Sequence, residues 1–77
     1  MNKSIFYHAG CPVCVDAEHE IINLVGAENV EVVNLGEDRN RISEAENAGV
    51  NSVPALVTTN GNTLHINFGA SMADVKG

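Results

Sequence analysis

The stretch Cys11-Pro12-Val13-Cys14 contains the only two cysteines of this 77-residue chain, and it decides the fold. It follows an apolar run at residues 5–7 and begins a pattern of apolar residues at helical spacing. Proline suits the first position of a helix, where its missing N–H is not needed. The stretch therefore predicts a strand, a tight connection and a helix that has Cys11 as its N-cap.

The placement of the cysteines predicts a reversible dithiol. The unpaired amides and the positive dipole at a helix N-terminus favour a thiolate at Cys11 over the thiol. The three-residue spacing puts Cys14 on the same helical face, within reach of a disulfide. Cys14 also belongs to an apolar stripe with Ala17 and Ile21, so we expect burial to raise its pKa. The geometry is that of a redox-active pair and differs from a permanent crosslink.

Composition narrows the class of protein. The length predicts one domain over residues 1–77, near the lower limit for a self-sufficient core. A net charge of −6 argues against nucleic acid and anionic membranes as partners. No apolar run approaches the roughly 20 residues of a membrane span, and no secretory signal opens the chain. We therefore expect a cytoplasmic protein, in which a lone cysteine pair is redox-active or metal-binding.

Apolar periodicity and turn residues predict the element order β-α-β-α-β-β with a short C-terminal helix. The predicted strands cover residues 4–8, 30–35, 55–58 and 63–67, and the helices cover residues 11–25 and 40–48. Ser71 and Asp74 form a capping-box pattern that opens the last helix. The first two strands are expected to be parallel, which brings Cys11 and the loop at 36–41 to one edge of the sheet. If the third strand is antiparallel to the first, its beginning at Pro54 lies at the same edge.

Three segments resemble the glutaredoxins, a branch of the thioredoxin superfamily. Residues 5–17 are similar to the strand, Gly-Cys-Pro-x-Cys motif and alanine of that family, and residues 52–57 resemble its Thr-Val-Pro segment. Residues 68–71 occupy the place of its late Gly-Gly turn, of which Gly69 is present. Val13 replaces the usual aromatic residue, and the closing helix is cut to residues 71–76. The resemblance implies a thioredoxin-like α/β fold with a mixed four-stranded sheet and a truncated C-terminal helix.

The resemblance also implies an enzyme, a thiol–disulfide oxidoreductase that serves electron transport and cell redox homeostasis. Cys11 would attack the substrate disulfide, and Cys14 would resolve the mixed disulfide. No bound cofactor is implied, and glutathione is a candidate reductant. The implied substrates are a disulfide-containing protein or a glutathione mixed disulfide.

Further site residues follow from the same resemblance. His8 stands three residues before Cys11, where an imidazolium would stabilise the thiolate or shuttle protons; the alternative is a solvent-facing histidine at a strand end. The Val53–Pro54 bond is expected to be cis and to face the Cys11 sulfur, with the Val53 backbone pairing with an extended substrate. The other expected substrate-binding residues are Pro12, Val13 and Gly69.

Two arginines in the loop after the second strand have two interpretations. Arg39 and Arg41 lie where glutaredoxins place a charged contact to a carboxylate of glutathione. They also lie beside acidic residues with which they would form a solvated charge cluster, and this second interpretation is favoured.

The late hairpin supplies apolar residues that the missing helix would cover in a full-length family member. They are Val57, Leu64, Ile66 and Phe68. An open apolar patch normally marks an interaction site, so we expect a homodimer that pairs through this face.

Two other functions remain open from the sequence. Cys11 and Cys14 of two chains would supply four thiolates to zinc or an iron–sulfur cluster, although a single pair lacks the remaining ligands, so no metal ligand is assigned. The chain would otherwise be a binding module that kept the thioredoxin-like fold and lost turnover.

Overall fold

Four strands form a mixed sheet in the computed structural model, which describes residues 3–77 apart from the side chain of Phe68. The strands are β1 (Ser4–His8), β2 (Val30–Asn34), β3 (Ser52–Val57) and β4 (Thr63–Ser71). Their order in the sheet is β2-β1-β3-β4. β1 is parallel to β2 and antiparallel to β3, and β3 is antiparallel to β4. The mixed four-stranded sheet expected from the sequence is confirmed.

Three helices accompany the sheet, and the first and last begin at the signals that the sequence carries. They are α1 (Pro12–Val25), α2 (Ile42–Asn47) and α3 (Met72–Lys76). Gly26 ends α1 at φ 97°, a conformation that glycine adopts without a steric cost. Ser71 and Asp74 form the expected capping box, in which each side chain bonds to the other residue's backbone N–H. None of the helices described within residues 3–77 is long and apolar enough to cross a membrane.

The second helix is shorter than the pattern at residues 40–48 predicts. A single 3-10 turn at Arg39–Arg41 precedes it, and α2 then covers six residues. The turn arises because the chain must change direction between the edge strand β2 and the face of the sheet. Ile42 and Ala45 still face the core, as their spacing predicts.

Side chains alternate across the sheet and form a core on each face. Phe6 belongs to the cluster on the α1 face, together with Ala17, Ile21, Val30 and Leu56. Tyr7 belongs to the larger cluster on the α2 face, to which α3 also contributes Met72 and Val75. Cys14 is part of that larger cluster. One end of the disulfide is therefore anchored in the main core.

The third and fourth strands pair over a longer stretch than the sequence predicts. β3 begins three residues earlier than expected and β4 ends four residues later. Val53 pairs with Ala70, but Ala55 pairs with His65, so residues 66–69 of β4 lie opposite Pro54. A proline has no N–H to donate to a neighbouring strand, and a local irregularity accommodates it. The predicted third strand began only after Pro54, and the predicted fourth strand ended at residue 67, because the sequence gives no sign of this bulge.

Candidate active site

A disulfide joins Cys11 and Cys14 at the N-terminus of α1. Their Cα atoms are 5.0 Å apart. Cys11 is the N-cap, with φ −73° and ψ 159°, and its Sγ accepts a hydrogen bond from the Cys14 backbone N–H at 3.1 Å. Pro12 occupies the first helical position. The capping geometry expected from the sequence is confirmed, and it places a sulfur where the helix dipole favours an anion.

The two sulfurs differ in their access to solvent. Cys14 is fully buried, whereas Cys11 is half-buried. Val13 beside them is half-buried and Pro12 is exposed, so the first turn of α1 forms part of the surface next to Cys11. A molecule that approaches the disulfide therefore meets Cys11 first.

Gly69 packs directly against the disulfide. A Cβ atom built on Gly69 would overlap Cys11 Sγ and would lie 3.0 Å from the Val53 carbonyl oxygen and 3.3 Å from Cys14 Sγ. Real Cβ atoms essentially never approach other atoms this closely, so the position requires glycine for space. The backbone of β4 therefore forms one wall of the site.

The start of β3 lies beside the same wall. Val53 and Pro54 are buried, and the bond between them is cis, as the resemblance implies. The Val53 carbonyl oxygen and both sulfurs lie close to Gly69, so the start of β3 borders the site. The structure thus brings together Cys11, Cys14, Val53 and Gly69, which are separated by up to 58 residues in the chain.

His8 is buried beneath the connection that leads to Cys11. Its Nδ1 accepts a hydrogen bond from the Gly10 backbone N–H at 3.1 Å, and its ring stacks on Phe6 with centroids 5.8 Å apart. Its Nε2 lies 3.6 Å from a carboxylate oxygen of Glu18 on α1. Nδ1 is thus used as an acceptor within the connection, and Nε2 is the ring nitrogen that faces Glu18. The predicted action of His8 on the Cys11 thiolate stays a prediction, and the observed contacts hold the connection to Cys11 in place.

The sequence did not identify Glu18 as a partner of His8. Glu18 lies seven residues after Cys11, about two helical turns, so it shares a face of α1 with the N-cap. That spacing was available in the sequence. What was missing is the packing of α1 on the sheet, which brings this face over the end of β1.

Both arginines of the loop after β2 are engaged within the protein. Arg39 donates to the carbonyl oxygens of Val75, at 3.0 Å, and Lys76, at the end of α3. Arg41 pairs with Glu44 at 2.7 Å and with Glu31 at 2.8 Å. The charge cluster favoured from the sequence is observed for Arg41, whereas Arg39 binds backbone carbonyls at the C-terminus of a helix.

A buried hydrogen bond connects β1 to α2 on the opposite face from α1. Tyr7 donates its hydroxyl proton to a Glu44 carboxylate oxygen at 2.5 Å. Burial and this hydrogen bond raise the pKa of Tyr7. Hydrogen bonds from Arg41 and then Tyr7 lower the pKa of Glu44. These contacts hold α2 against the sheet, and they pair Arg41 with carboxylates of the protein itself.

The apolar residues of the late hairpin do not all lie on one face. Leu64 pairs with Leu56, and Ile66 packs against the cluster on the α1 face. Val57 packs against the cluster on the α2 face, so its assignment to the same patch was wrong. Side chains alternate along a strand, and Val57 is one residue away from Leu56. Leu64 is 54% exposed, and the Phe68 side chain lies outside the described residues.

Comparisons with known proteins agree with this geometry. No protein-family model and no curated protein matches the chain. A solution NMR structure of a dimeric thioredoxin-like protein from Nitrosomonas europea is similar, with 58% sequence identity and a TM-score of 0.86. The match covers 97% of this chain and 95% of that one. With a Cys-x-x-Cys disulfide at the start of its first helix, the chain belongs to the thioredoxin-like proteins.

Proposed function

We propose that this protein is a thiol–disulfide oxidoreductase. The observation that carries the proposal is the disulfide at the N-terminus of α1, in which Cys11 is half-buried and Cys14 is fully buried. A structural crosslink needs no such asymmetry, whereas thiol–disulfide exchange needs one thiol to meet the substrate and one to stay behind it. The proposed setting is the cytoplasm, where a cysteine pair is kept available for reduction.

The reduced protein would act in two exchange steps. The Cys11 thiolate, favoured by the helix dipole and the Cys14 N–H, attacks one sulfur of a substrate disulfide and expels the other as a thiolate. The Cys14 thiol then loses its proton and attacks Cys11 Sγ in the mixed disulfide. The second substrate thiolate leaves, and the Cys11–Cys14 bond forms. The substrate gains two electrons and two protons, and the protein loses them.

The proposed substrate-binding surface surrounds Cys11. Pro12 and Val13 contribute the first turn of α1 on one side. The backbones of Val53 and Gly69 lie next to the sulfurs on the other side. An extended substrate would pair with backbone groups there, as in the addition of a strand.

The proposal is tested with the reduced protein and an uncharged aromatic disulfide that releases a coloured thiol. The natural chain should release two thiols per protein and close its own disulfide. Cys14→Ser should release one thiol and remain as a mixed disulfide, which mass spectrometry detects. Cys11→Ser should react slowly, because Cys14 is buried. Equal reaction rates for the two single variants, or bound zinc or iron in the purified protein with no exchange, would contradict the proposal.

We further propose that the protein forms a homodimer through the part of the β3–β4 hairpin that lies on the α1 face. Leu64 and Ile66 form this surface, and the similar protein from Nitrosomonas europea is described as dimeric. Leu64→Glu would place a carboxylate in the interface and should give a monomer in sedimentation experiments at tens of micromolar. Leu24→Glu is the matched control, because Leu24 is 82% exposed on α1 and lies outside this surface. An unchanged dimer in Leu64→Glu would reject the proposed face.

A further inference from the structure

The charges around Cys11 restrict which thiol can reduce the disulfide. The chain has four lysine and arginine residues and ten acidic ones. Because Cys14 is buried, a donor thiol must attack at Cys11 and must approach through the charges that surround it. The location of each cation therefore decides whether an anionic donor is attracted or repelled.

Each of the four basic side chains is either bound to other groups of the protein or far from Cys11. The Arg39 guanidinium binds the carbonyls at the end of α3, and Arg41 is paired with two glutamates. Lys76 forms an ion pair with Glu46 at 2.5 Å. Lys3 precedes β1, whose other end leads to Cys11, so the strand separates them by about 15 Å. None of the four cations is placed to bind a carboxylate next to Cys11.

Acidic residues lie near Cys11 on two elements. Asp16 and Glu18, the latter facing His8, both lie in the second turn of α1, about 8 and 11 Å from Cys11 along the helix axis. Glu37 and Asp38 are exposed in the loop after β2. This loop is adjacent to the connection before Cys11, because a Cβ atom on Gly36 would lie 3.6 Å from the Ala9 carbonyl oxygen. At low ionic strength, where the Debye length is about 30 Å, these carboxylates repel an anionic donor at Cys11, and added salt weakens the repulsion.

We propose that the donor thiol which reduces the Cys11–Cys14 disulfide is neutral or positively charged where it approaches Cys11, and that glutathione, with its two carboxylates, is a poor donor. The inference rests on the proposed oxidoreductase function and names the class of its reductant. One donor thiolate attacks Cys11 Sγ and breaks the bond to Cys14, which takes up a proton. The second donor thiolate then attacks the donor sulfur of the mixed disulfide and releases Cys11. The donor loses two electrons and two protons, and the protein gains them.

The test compares thiols that differ in charge on the oxidised full-length protein. The donors are glutathione, glutathione diethyl ester, in which both carboxylates are masked, and dithiothreitol, which is neutral. Reduction is followed by alkylation and mass spectrometry. Each rate constant is divided by that of the same thiolate with an uncharged small disulfide, which removes differences in intrinsic nucleophilicity. We expect the normalised constant of the ester to exceed that of glutathione by about tenfold at low ionic strength, and the ratio to shrink as salt is added.

Two variants with the same chemical change provide a matched control. Val15 is 42% exposed one helical turn after Cys11, and Leu24 is 82% exposed near the other end of α1, about 14 Å further along the axis. Val15→Lys should raise the normalised constant of glutathione by about threefold, because it supplies the missing cation. At physiological ionic strength Leu24→Lys should leave it within about 1.5-fold, since its charge lies about 20 Å from Cys11 along the helix axis, more than twice the Debye length.

The outcomes separate the inference from the function on which it rests. Equal normalised constants for glutathione and its ester, or a glutathione rate that saturates at submillimolar concentration, would overturn the inference while leaving the oxidoreductase in place. If dithiothreitol fails to reduce the disulfide of the folded protein, the proposed function fails and the inference falls with it.

Discussion

Gly69→Ala tests whether the backbone of β4 is in contact with the disulfide. The new methyl group would overlap Cys11 Sγ and would approach the Val53 carbonyl oxygen to 3.0 Å. Forcing a methyl group into a packed site costs about 1–3 kcal/mol, and here neither neighbour is the end of a flexible side chain. We expect the oxidised protein to lose about 2–3 kcal/mol of its free energy of unfolding. In the reduced protein, Cys11 Sγ is free to rotate away, so the loss should be about 1 kcal/mol smaller.

The two losses are linked through the redox equilibrium. A destabilisation that is about 1 kcal/mol larger in the oxidised form makes the disulfide easier to reduce by about 20 mV. The assay is urea unfolding followed by circular dichroism, with and without reductant, together with equilibration in a redox buffer. Gly61→Ala is the control, because Gly61 has φ 86° and no atom within 4 Å of a new Cβ, so its cost of about 1 kcal/mol should be equal in both forms. Equal losses for Gly69→Ala in the two redox states would refute the contact.

Three further variants test the remaining contacts. His8→Asn places an amide oxygen where Nδ1 accepts the Gly10 N–H, and His8→Gln does not. If His8 acts by positioning, only His8→Gln should change the pH profile of Cys11 alkylation in a Cys14→Ser background. Equal changes in the two variants would indicate that the imidazole charge acts instead. The pKa of Glu44 is lowered in the folded state, so its contribution to the free energy of unfolding is present above the ordinary value of 4.5 and is lost as pH falls through the folded pKa. In urea unfolding, Glu44→Gln should therefore reduce the fall in stability at acid pH. An unchanged pH dependence would contradict this. Arg39→Gln removes hydrogen bonds to the carbonyl oxygens of α3, so it should lower the free energy of unfolding by about 1–2 kcal/mol and speed amide hydrogen exchange in that helix. Unchanged exchange would show that these hydrogen bonds do not stabilise α3.

Local chemistry made much of the site predictable from the sequence. A cysteine followed by proline at the start of an apolar helical pattern is sufficient to expect an N-cap with a sulfur on the helix amides. The cis bond at Pro54 followed from the resemblance to glutaredoxins, because spacing alone would have predicted a trans bond. The structure bears out both expectations.

The features that the sequence did not predict depend on the packing of helices and strands that are far apart in the chain. The partners of His8 and Arg39 lie on helices whose orientation is decided by packing, so no spacing rule identifies them. The wrong assignment of Val57 has a simpler cause. Side chains alternate between the two faces of a strand, so a shift of one residue places a side chain on the opposite face. The length of β4 was underestimated because a bulge opposite Pro54 lets pairing resume after the proline.

The short separation of Cys11 and Cys14 has a consequence for folding. A crosslink stabilises a protein mainly by restricting the unfolded chain, and a ring closed over a sequence separation of three restricts it very little. The two clusters of buried side chains on either face of the sheet must therefore supply almost all of the folding free energy in both redox states. The bond can therefore open and close with little effect on the stability of the rest of the molecule, which is what the proposed oxidoreductase would require.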